Sequence, residues 1–190
     1  RCSPIKGSPA RFRRSGHWRP AASIAATTMT ARRVDFLPDD CDPTVRAVTA
    51  YWAGLPGTPL GVPLRSDFDP VALPSRVLPH IWMVDLEREP DRFRFRLCGS
   101  HLVRALGFDP TGRYYDEVFP DFADTETLAA LLRVRDTAEG SWRSGGPNLI
   151  FPNHDIRLLE RAFLPLSSDG ERVDIVLAVS VYRSRPLANR

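Results

Sequence analysis

The sequence predicts an α+β fold: a five-stranded antiparallel sheet with short helices on one face, preceded by an amphipathic helix. Two strand patterns come first, several short helical segments follow, and three more strand patterns close the chain. Links of hairpin length between strands favour antiparallel pairing. A chain of 190 residues, 43% of them hydrophobic, suffices for one ordinary domain with appendages. Its 18 prolines favour many short elements over long helices.

Residues 1–33 form a basic extension that we expect to be disordered. They hold eight of the basic residues and no acidic one, and residues 1–20 are rich in Pro, Gly and Ser without periodicity. Arg13-Arg14 could belong to a targeting signal, although the segment after them is too small and polar for an apolar signal core. The alternative is a native start at Met29, just before the composition changes.

The rest of the chain is mildly acidic, although the whole chain has a net charge of +3. Residues 34–190 hold 18 basic and all 23 acidic residues, a net charge of −5. Nucleic-acid binding is therefore not expected, since a basic face supplies most non-specific affinity. No apolar run approaches the roughly 20 residues that span a bilayer, so no membrane association is expected. The three cysteines are odd in number and far apart, which is typical of free thiols in the cytoplasm.

An amphipathic helix is expected over residues 42–54. It starts well, because Asp42 can cap the first turn and the following proline loses no hydrogen bond at the first helical position. Its apolar residues recur at helical spacing: Val45, Val48 and Trp52. This stripe could pack on the main domain or on a second copy of the chain.

Short helical turns and two strands are expected next. Asp69-Pro70 repeats the capping signature, and a second turn covers residues 75–78. Residues 81–86 form the first strand. In the second strand, apolar and basic side chains alternate with the period of a half-buried strand: Phe93, Phe95 and Leu97 alternate with Arg92, Arg94 and Arg96. A helix then runs from Ser100 to a stop at Gly107, and a longer one is expected to start at Asp121 and end near residue 138.

The C-terminal third is expected to be β-structure. A weak strand over residues 142–150 is interrupted by glycines and a proline, and a long strand follows over residues 156–166. Ser168-Asp169-Gly170 is a hairpin signal. The final strand has the clearest alternation in the chain, with apolar residues at every second position: Val173, Ile175, Leu177, Val179 and Val181.

This order of elements and three short motifs resemble the PAS domain family. The family carries a glycine-aromatic pair, then a Gly-Arg, then often a Pro-Asp, and these are Gly107-Phe108, Gly112-Arg113 and Pro120-Asp121. The segments LPSRVLPHIWMVDLE and RFRFRLCGS resemble a group of small stand-alone bacterial PAS proteins of alphaproteobacterial type. The resemblance covers about residues 60–183 and leaves residues 184–190 as a C-terminal tail.

The resemblance implies a cavity between sheet and helices, where PAS domains bind haem, flavin or small metabolites. We expect its apolar wall to be Phe93, Phe95, Leu97, Leu102, Leu106 and Val179. Candidate polar anchors for a ligand or for the fold are Arg96, His101, Arg113 and Arg157. The arginines of the second strand could simply be solvated, or Arg96 could hold a loop carboxylate or an anionic ligand, with Arg157 and Arg161 joining the same patch.

No cofactor or metal is expected. The family's usual haem-ligand region corresponds to residues 121–138, which contain no histidine; the three histidines after the N-terminal extension, His80, His101 and His154, lie elsewhere. A photoactive flavin needs a cysteine within GFDPTGRYYDE, and none is present. Cys98 is expected to be a small buried apolar residue. No His-x-x-x-His metal spacing occurs.

No catalytic residue is expected either. A triad could be assembled only on paper, from Asp155, His154 and Ser144 or Ser180, without a glycine-flanked nucleophile. Asp116-Glu117 is expected to be solvated or to cap a helix. The remaining enzyme alternative is an α+β cone of the ketosteroid-isomerase type, which would need a carboxylate facing the pocket, and Asp85 is the strand-borne candidate.

The sequence therefore predicts a non-catalytic sensory or signalling module that binds a small ligand or a protein partner. Its output would pass through another signalling protein, since no kinase, helix-turn-helix or cyclase segment is present. The alternative is a constitutive interaction or scaffold protein whose core is filled by its own side chains. An open or a filled cavity discriminates between them. A homodimer is expected from the exposed-looking helix over residues 43–53 and from family habit.

Overall fold

A computed structural model describes residues 34–147 and 156–184. Five strands form one antiparallel sheet in the order β2-β1-β5-β4-β3. The strands are β1 (Ile81–Arg88), β2 (Asp91–Cys98), β3 (Ser141–Gly145), β4 (Ile156–Leu166) and β5 (Ile175–Ser184). The α-helices are α1 (Pro43–Gly54), α2 (Ser100–Leu106), α3 (Tyr115–Val118) and α4 (Glu126–Thr137). Short 3-10 helices lie at Arg65–Asp67, Pro70–Ala72, Ser75–His80 and Phe122–Asp124.

This architecture confirms the predicted α+β fold with a five-stranded antiparallel sheet. Helices α2 to α4 cover one face of the sheet, which we call the helix face, as predicted. The glycine turns are also as expected, because Gly107 and Gly112 have φ of 80° and 85°, where a β-carbon would be penalised. No helix in the described ranges is long and apolar enough to cross a membrane.

The opposite face of the sheet, which we call the α1 face, is covered by α1 and the 3-10 turns that follow it. Asp42 caps α1 as predicted, since its side chain accepts a hydrogen bond from Thr44 N at 2.8 Å. Trp52 is 2% exposed and donates from Nε1 to the carbonyl of Pro165 at 2.9 Å. The apolar stripe of α1 is buried on the chain's own sheet, which is the first of the two packings that the sequence left open, and this helix therefore no longer supports a dimer.

The two faces have separate hydrophobic cores because strand side chains alternate between them. On β5, Val176 and Ala178 belong to the helix-face core, whereas Leu177 and Val179 belong to the α1-face core. The main residues of the helix-face core are Trp82, Val84, Phe93, Phe95, Leu102, Leu106, Tyr115, Phe119, Phe122, Leu131 and Phe163. Those of the α1-face core are Val45, Val48, Trp52, Phe68, Val77, Ile81, Met83, Leu164, Leu166, Leu177 and Val179.

Some element boundaries differ from the predictions. Helix α4 is capped by Thr125, whose hydroxyl accepts from Leu128 N at 3.3 Å, because residues from Asp121 onward first form a separate 3-10 turn. Helix α2 begins at Ser100, so Gly99 and not Ser100 is at the capping position. A β-carbon at Gly99 would clash with the carbonyl oxygen of Pro79. Strand β3 ends at Gly145, earlier than predicted.

Several predictions fall on residues that are not described. The disordered extension over residues 1–33 and the tail from residue 185 onward lie outside the described residues. Residues 148–150, the end of the predicted weak strand, also lie outside the described residues, as do His154 and Asp155 of the catalytic triad considered above.

Candidate functional site

The space between sheet and helices is filled mainly by aromatic side chains. Phe95 from β2 stacks on Tyr115 from α3, with ring centroids 4.3 Å apart, and the ring centroid of Phe122 lies 4.5 Å from that of Tyr115. Trp82 from β1 packs against Phe163 from β4 at 5.7 Å in an edge-to-face arrangement. Aromatic pairs at such distances add stability beyond their buried area, so this core is held by specific contacts.

Four of the six predicted pocket residues lie in this helix-face core: Phe93, Phe95, Leu102 and Leu106. The prediction was wrong for Leu97, because β2 has a bulge at Arg96 that shifts the pairing between Met83 and Val84. Leu97 therefore pairs with Met83 of the α1 face and is 44% exposed. Val179 was also misplaced, since it packs in the α1-face core.

A small polar cluster lies inside the helix-face core, and Arg161 of β4 is its only charged member in the described ranges. Arg161 is 4% exposed, and its Nη1 donates to the hydroxyl of Thr127 from α4 at 3.1 Å. Its guanidinium carbon lies 3.9 Å from the ring centroid of Phe163, a cation–π contact. Ser180 of β5 accepts a hydrogen bond from Trp82 Nε1 at 2.9 Å in the same region.

Arg161 has no carboxylate within salt-bridge distance among the described residues. Its neighbour across the strand pair is Arg143, and Arg143 takes the nearby carboxylate of Glu126 at 3.4 Å. A buried charge without an opposite charge is costly, since its hydration is lost without a compensating Coulomb attraction. The described side chains of this region therefore hold a positive charge for which they supply no counter-charge.

Burial shifts the titration of the groups around this cavity. It lowers the pKa of the Arg161 guanidinium to about 10, so the group stays charged at neutral pH. Burial raises the pKa of Tyr115 well above its ordinary value. Burial also raises the pKa of Tyr182, and a hydrogen bond with Ser180 partly offsets that effect. At neutral pH the cavity thus has a cationic donor and neutral phenol hydroxyls.

The cavity at this polar cluster is very small. Its volume is about 10 Å³, close to the space that one water molecule needs. Its walls are Trp82, Phe95, Leu102, Tyr115, Phe119, Leu159, Arg161, Ser180 and Tyr182. Pockets for drug-sized ligands have volumes of roughly 300–1,000 Å³. The described core is therefore filled by its own side chains.

The arginines of β2 are neutralised by nearby carboxylates. Arg96 and Arg94 both bind Asp85 of β1, at 2.9 Å and 3.2 Å. Arg92 binds Asp116 at 2.9 Å and Glu117 at 3.3 Å. The carboxylate that Arg96 holds is on a strand and not in a loop, which corrects that part of the prediction.

Two further predictions about this surface are settled by the sheet order. Arg161 faces the core and Arg157 lies on β4, which β1 and β5 separate from β2, so neither joins the β2 arginines. Asp85 is paired with arginines and lies between Val84 and Leu86, which face the helix-face core, so it points away from that core. The carboxylate that the ketosteroid-isomerase alternative would need is therefore not in the helix-face core; it lines a separate cleft of about 300 Å³ together with Arg96.

The acidic pair at α3 has the capping role that was expected. Glu117 Oε2 accepts from the backbone N–H of Tyr114 at 3.1 Å, at the start of this helix. Arg113 is exposed, and its guanidinium lies 5.1 Å from the ring of Phe108. Arg113 thus contacts the aromatic residue of the glycine-aromatic pair and does not line the core.

The histidines of the described region lie at one end of β1, outside the helix-face core. The rings of His80 and His101 are 3.8 Å apart, and Nδ1 of His80 lies 2.9 Å from the carbonyl oxygen of Ser180. Burial lowers the pKa of His101, and the proximity of His80 and Arg104 adds to this effect. No group of three or more metal-ligating side chains occurs in residues 34–147 and 156–184.

Cys98 packs at the edge of the helix-face core. It is partly buried, and burial raises the pKa of its thiol to about 12. The thiolate that reacts with oxidants and electrophiles is therefore scarce at neutral pH. This environment agrees with the prediction of a small apolar residue.

Sequence reasoning assigned Arg161 to a surface patch and missed its place in the core. The usable signal was its position in β4, because Leu159, Arg161 and Phe163 share one strand face by their period-2 spacing. Two apolar residues on the same face as an arginine indicate a buried guanidinium. Because arginine is seldom fully buried, a solvent-exposed position was predicted for Arg161.

An antiparallel sheet in the order β2-β1-β5-β4-β3, with short helices across one face, is the architecture of a class of sensory and signalling domains. A family model described as PAS domain matches residues 41–178, which is most of the chain. The chain belongs to the PAS domain family. PAS domains are typically non-catalytic sensory modules. The match includes α1. Neither the curated proteins nor the solved structures gave a match.

Proposed function

We propose that this PAS module has no catalytic activity and passes its signal by contacting another protein, with a core that its own side chains fill. The observation that carries the proposal is the cavity of about 10 Å³ in the helix-face core. A sensor of an organic metabolite or chromophore would need a pocket many times larger. The stacked rings of Phe95 and Tyr115 occupy the space where such a ligand would lie.

Native mass spectrometry combined with an absorbance spectrum tests this proposal. We expect the purified protein to have the mass of the polypeptide alone and no absorbance band beyond that of its aromatic residues. A retained organic molecule or a visible chromophore band would contradict a filled core. As a positive control, Phe95→Ala should create a cavity, and we expect it to bind small aromatic molecules that the unaltered protein does not bind.

A second candidate function is the sensing of a small ligand within the same core. The observation that favours it is the buried Arg161, whose charge no described carboxylate neutralises. A thermal-shift screen of metabolites separates the two candidates. Stabilisation by an organic metabolite that disappears in Phe95→Trp, which narrows the core further, would favour the sensor over the filled interaction module.

A homodimer remains part of the proposal, although its supporting argument has changed. The stripe of α1 that suggested it is buried on the chain's own sheet. What supports it now is the habit of PAS domains to self-associate. Light scattering should give twice the monomer mass, and a monomer at high protein concentration would contradict this part.

A further inference from the structure

Two histidine rings meet where the 3-10 helix Ser75–His80 contacts the start of α2. The ring centroids of His80 and His101 are 3.8 Å apart, and both side chains are partly buried. Nδ1 of His80 lies 2.9 Å from the carbonyl oxygen of Ser180 on β5. Because a carbonyl oxygen can only accept, Nδ1 carries the hydrogen, and Nε2 is the nitrogen of His80 that can take a further proton.

The backbone next to the two rings is closely packed. Gly99, which precedes α2, donates from its N–H to the carbonyl oxygen of Ile81 at 2.8 Å. A β-carbon at Gly99 would clash with the carbonyl oxygen of Pro79, so this contact has no room for a side chain. The elements that carry the two histidines are thus held together through their backbones. The rings can separate only if α2 moves away from the 3-10 helix.

Among the described residues, no carboxylate is available to neutralise a charge on either ring. The elements that pack most closely on α2 and on the 3-10 helix are α1 and β5. None of these four elements contains an aspartate or a glutamate. The acidic residues of the adjoining strands β1 and β2 lie farther along those strands and are bound by arginines: Asp85, Glu87 and Asp91.

The other charged groups of this region add to the positive charge. Besides the two histidines, the charged residues of the same four elements are all arginines: Arg46, Arg76, Arg104 and Arg183. Of these, Arg104 is near enough to His101 to disfavour its protonation. The remaining titratable groups of these elements and of the end of β2 are uncharged near pH 6: Tyr51, Tyr182 and Cys98. A second proton on the histidine pair therefore meets repulsion without a compensating attraction.

We propose that the contact between His80 and His101 is a proton-sensitive joint, which holds α2 in place until both rings are protonated and then loosens it. Two imidazolium rings at this separation repel each other, and the close backbone contact at Gly99 keeps them from moving apart while α2 stays in place. The lowered pKa of His101 agrees with this arrangement. The joint goes beyond the proposed function, since it responds to pH and not to a partner.

The direction of the pH effect follows from proton uptake. In the unfolded chain the two rings are apart, and each binds a proton with the ordinary pKa of a histidine, about 6.5. The folded chain resists the second proton, so in acid the unfolded chain holds more protons. The stability that the joint contributes is therefore present above about pH 6.5 and is lost as the pH falls below it. Helix α2 should respond first, and it carries Leu102 and Leu106 of the helix-face core.

Amide hydrogen exchange of the full chain at pH 7.5 and pH 5.0, corrected for the intrinsic effect of pH on exchange, gives the first test. We expect the amides of Val103 and Gly107 in α2 to lose protection by about tenfold at pH 5.0, which is the effect of one pKa unit. The paired amides of β4 and β5 should keep theirs. Unchanged protection of α2, or an equal loss in all elements, would overturn the proposal.

Two single variants and their combination distinguish a coupled pair from two independent histidines. His80→Gln and His101→Gln each leave one ring without a charged ring beside it. We expect each variant alone to abolish most of the acid-induced loss of protection in α2, so that the double variant adds little. A loss that each single variant only halves would mean that the two rings titrate independently, and would overturn the joint.

His101→Phe keeps a ring at the contact while removing the proton site, so the test does not depend on a variant that leaves a gap. We expect protection of α2 in this variant to be the same at pH 5.0 and pH 7.5. Arg172→Gln, which removes an exposed cation in the hairpin between β4 and β5, is the control and should retain the full acid loss. An undiminished loss in His101→Phe would contradict the joint and leave the proposed function unaffected.

Discussion

The two faces of the sheet each bury one charged residue of β4, and they treat it in opposite ways. On the α1 face, the carboxylate of Glu160 is 6% exposed and accepts hydrogen bonds from the backbone N–H of Asp42 and from the indole of Trp142. On the helix face, Arg161 is 4% exposed, and in the described residues it has one hydroxyl acceptor and one aromatic ring. One charge is used to hold structure together, and the other has no counter-charge among the described residues.

This difference indicates which buried charge stabilises the fold and which one costs stability. Glu160 connects the residue that caps α1 to the edge of the sheet, so it fixes the position of that helix. Arg161 lies next to a water-sized cavity, and its charge lacks a counter-charge in the described core. A partnered charge stabilises a fold, whereas an unpartnered charge costs stability unless something binds it.

The largest effect is expected from removing the anchor of α1. Trp52→Ala deletes a fully packed indole and its hydrogen bond to Pro165, and we expect the free energy of unfolding to fall by about 3–5 kcal/mol. Urea unfolding followed by circular dichroism measures it. Val71→Ala, at an exposed side chain, is the control and should change little. A small loss in Trp52→Ala would mean that α1 unfolds separately from the sheet.

The buried carboxylate should come next in magnitude. Glu160→Ala leaves the N–H of Asp42 and the indole of Trp142 without their acceptor, so we expect a loss of about 2–4 kcal/mol. Glu160→Gln keeps an acceptor oxygen and should lose clearly less. The same urea experiment measures both variants. Equal losses would show that the charge, and not the hydrogen bonding, is what this position requires.

High pH should weaken the helix face in particular. The thiol of Cys98, with a pKa of about 12, and the phenols of Tyr115 and Tyr182 keep their protons longer in the folded state than in the unfolded chain. As the pH rises, the unfolded chain therefore releases these protons first. Their contribution to the free energy of unfolding is intact below pH 9 and falls above it, by about 1.4 kcal/mol per pH unit for each proton that the folded state holds in excess of the unfolded state. Urea midpoints at successive pH values measure this slope.

Arg161 should oppose that fall at the upper end of the range. Its pKa is lowered to about 10 in the folded state, so above that pH the folded chain sheds a proton that the unfolded chain still holds, and stability is regained. Arg161→Met should consequently lose stability more steeply above pH 10 than the unaltered chain. A flat profile between pH 8 and 11 in both proteins would show that the phenols are open to water.

The smallest effect is expected at Leu97, which the bulge of β2 turns toward solvent. Leu97→Ala should cost less than about 1 kcal/mol, whereas Phe95→Ala, two residues away, should cost about 3–5 kcal/mol. Thermal or urea unfolding of the two variants measures the contrast. Similar losses at both positions would mean that β2 continues without a bulge and that Leu97 is part of a core.

Much of the fold was predictable, because its signals are local. The alternation of Phe93 and Phe95 with arginines fixed the inward face of β2, and the proline after Asp42 fixed the start of α1. The bulge at Arg96 was not predictable, since it is defined by the pairing of two strands. The face on which Val179 lies was not predictable for a related reason. Strand β5 is apolar on both faces, so its alternation does not show which face packs against the helices.

The candidate site was harder to predict than the fold. The aromatic wall could be named from strand and helix patterns, but whether it encloses an open or a filled space depends on how side chains from separate elements meet. Arg161 shows the limit most clearly. Its period-2 spacing places it on the same strand face as Leu159 and Phe163, which indicates burial, whereas its charge suggests exposure to solvent. Hydrogen bonding to Thr127, 34 residues away along the chain, is visible only in three dimensions.

The contrast between the two buried charges is tested most directly by the free energy of unfolding of Arg161→Met, measured by urea unfolding. The variant should be as stable as the unaltered chain or more stable, by up to about 4 kcal/mol, because it replaces a buried charge with an apolar side chain. A loss as large as that of Glu160→Ala would show that Arg161 is as fully partnered as Glu160, and would contradict the account.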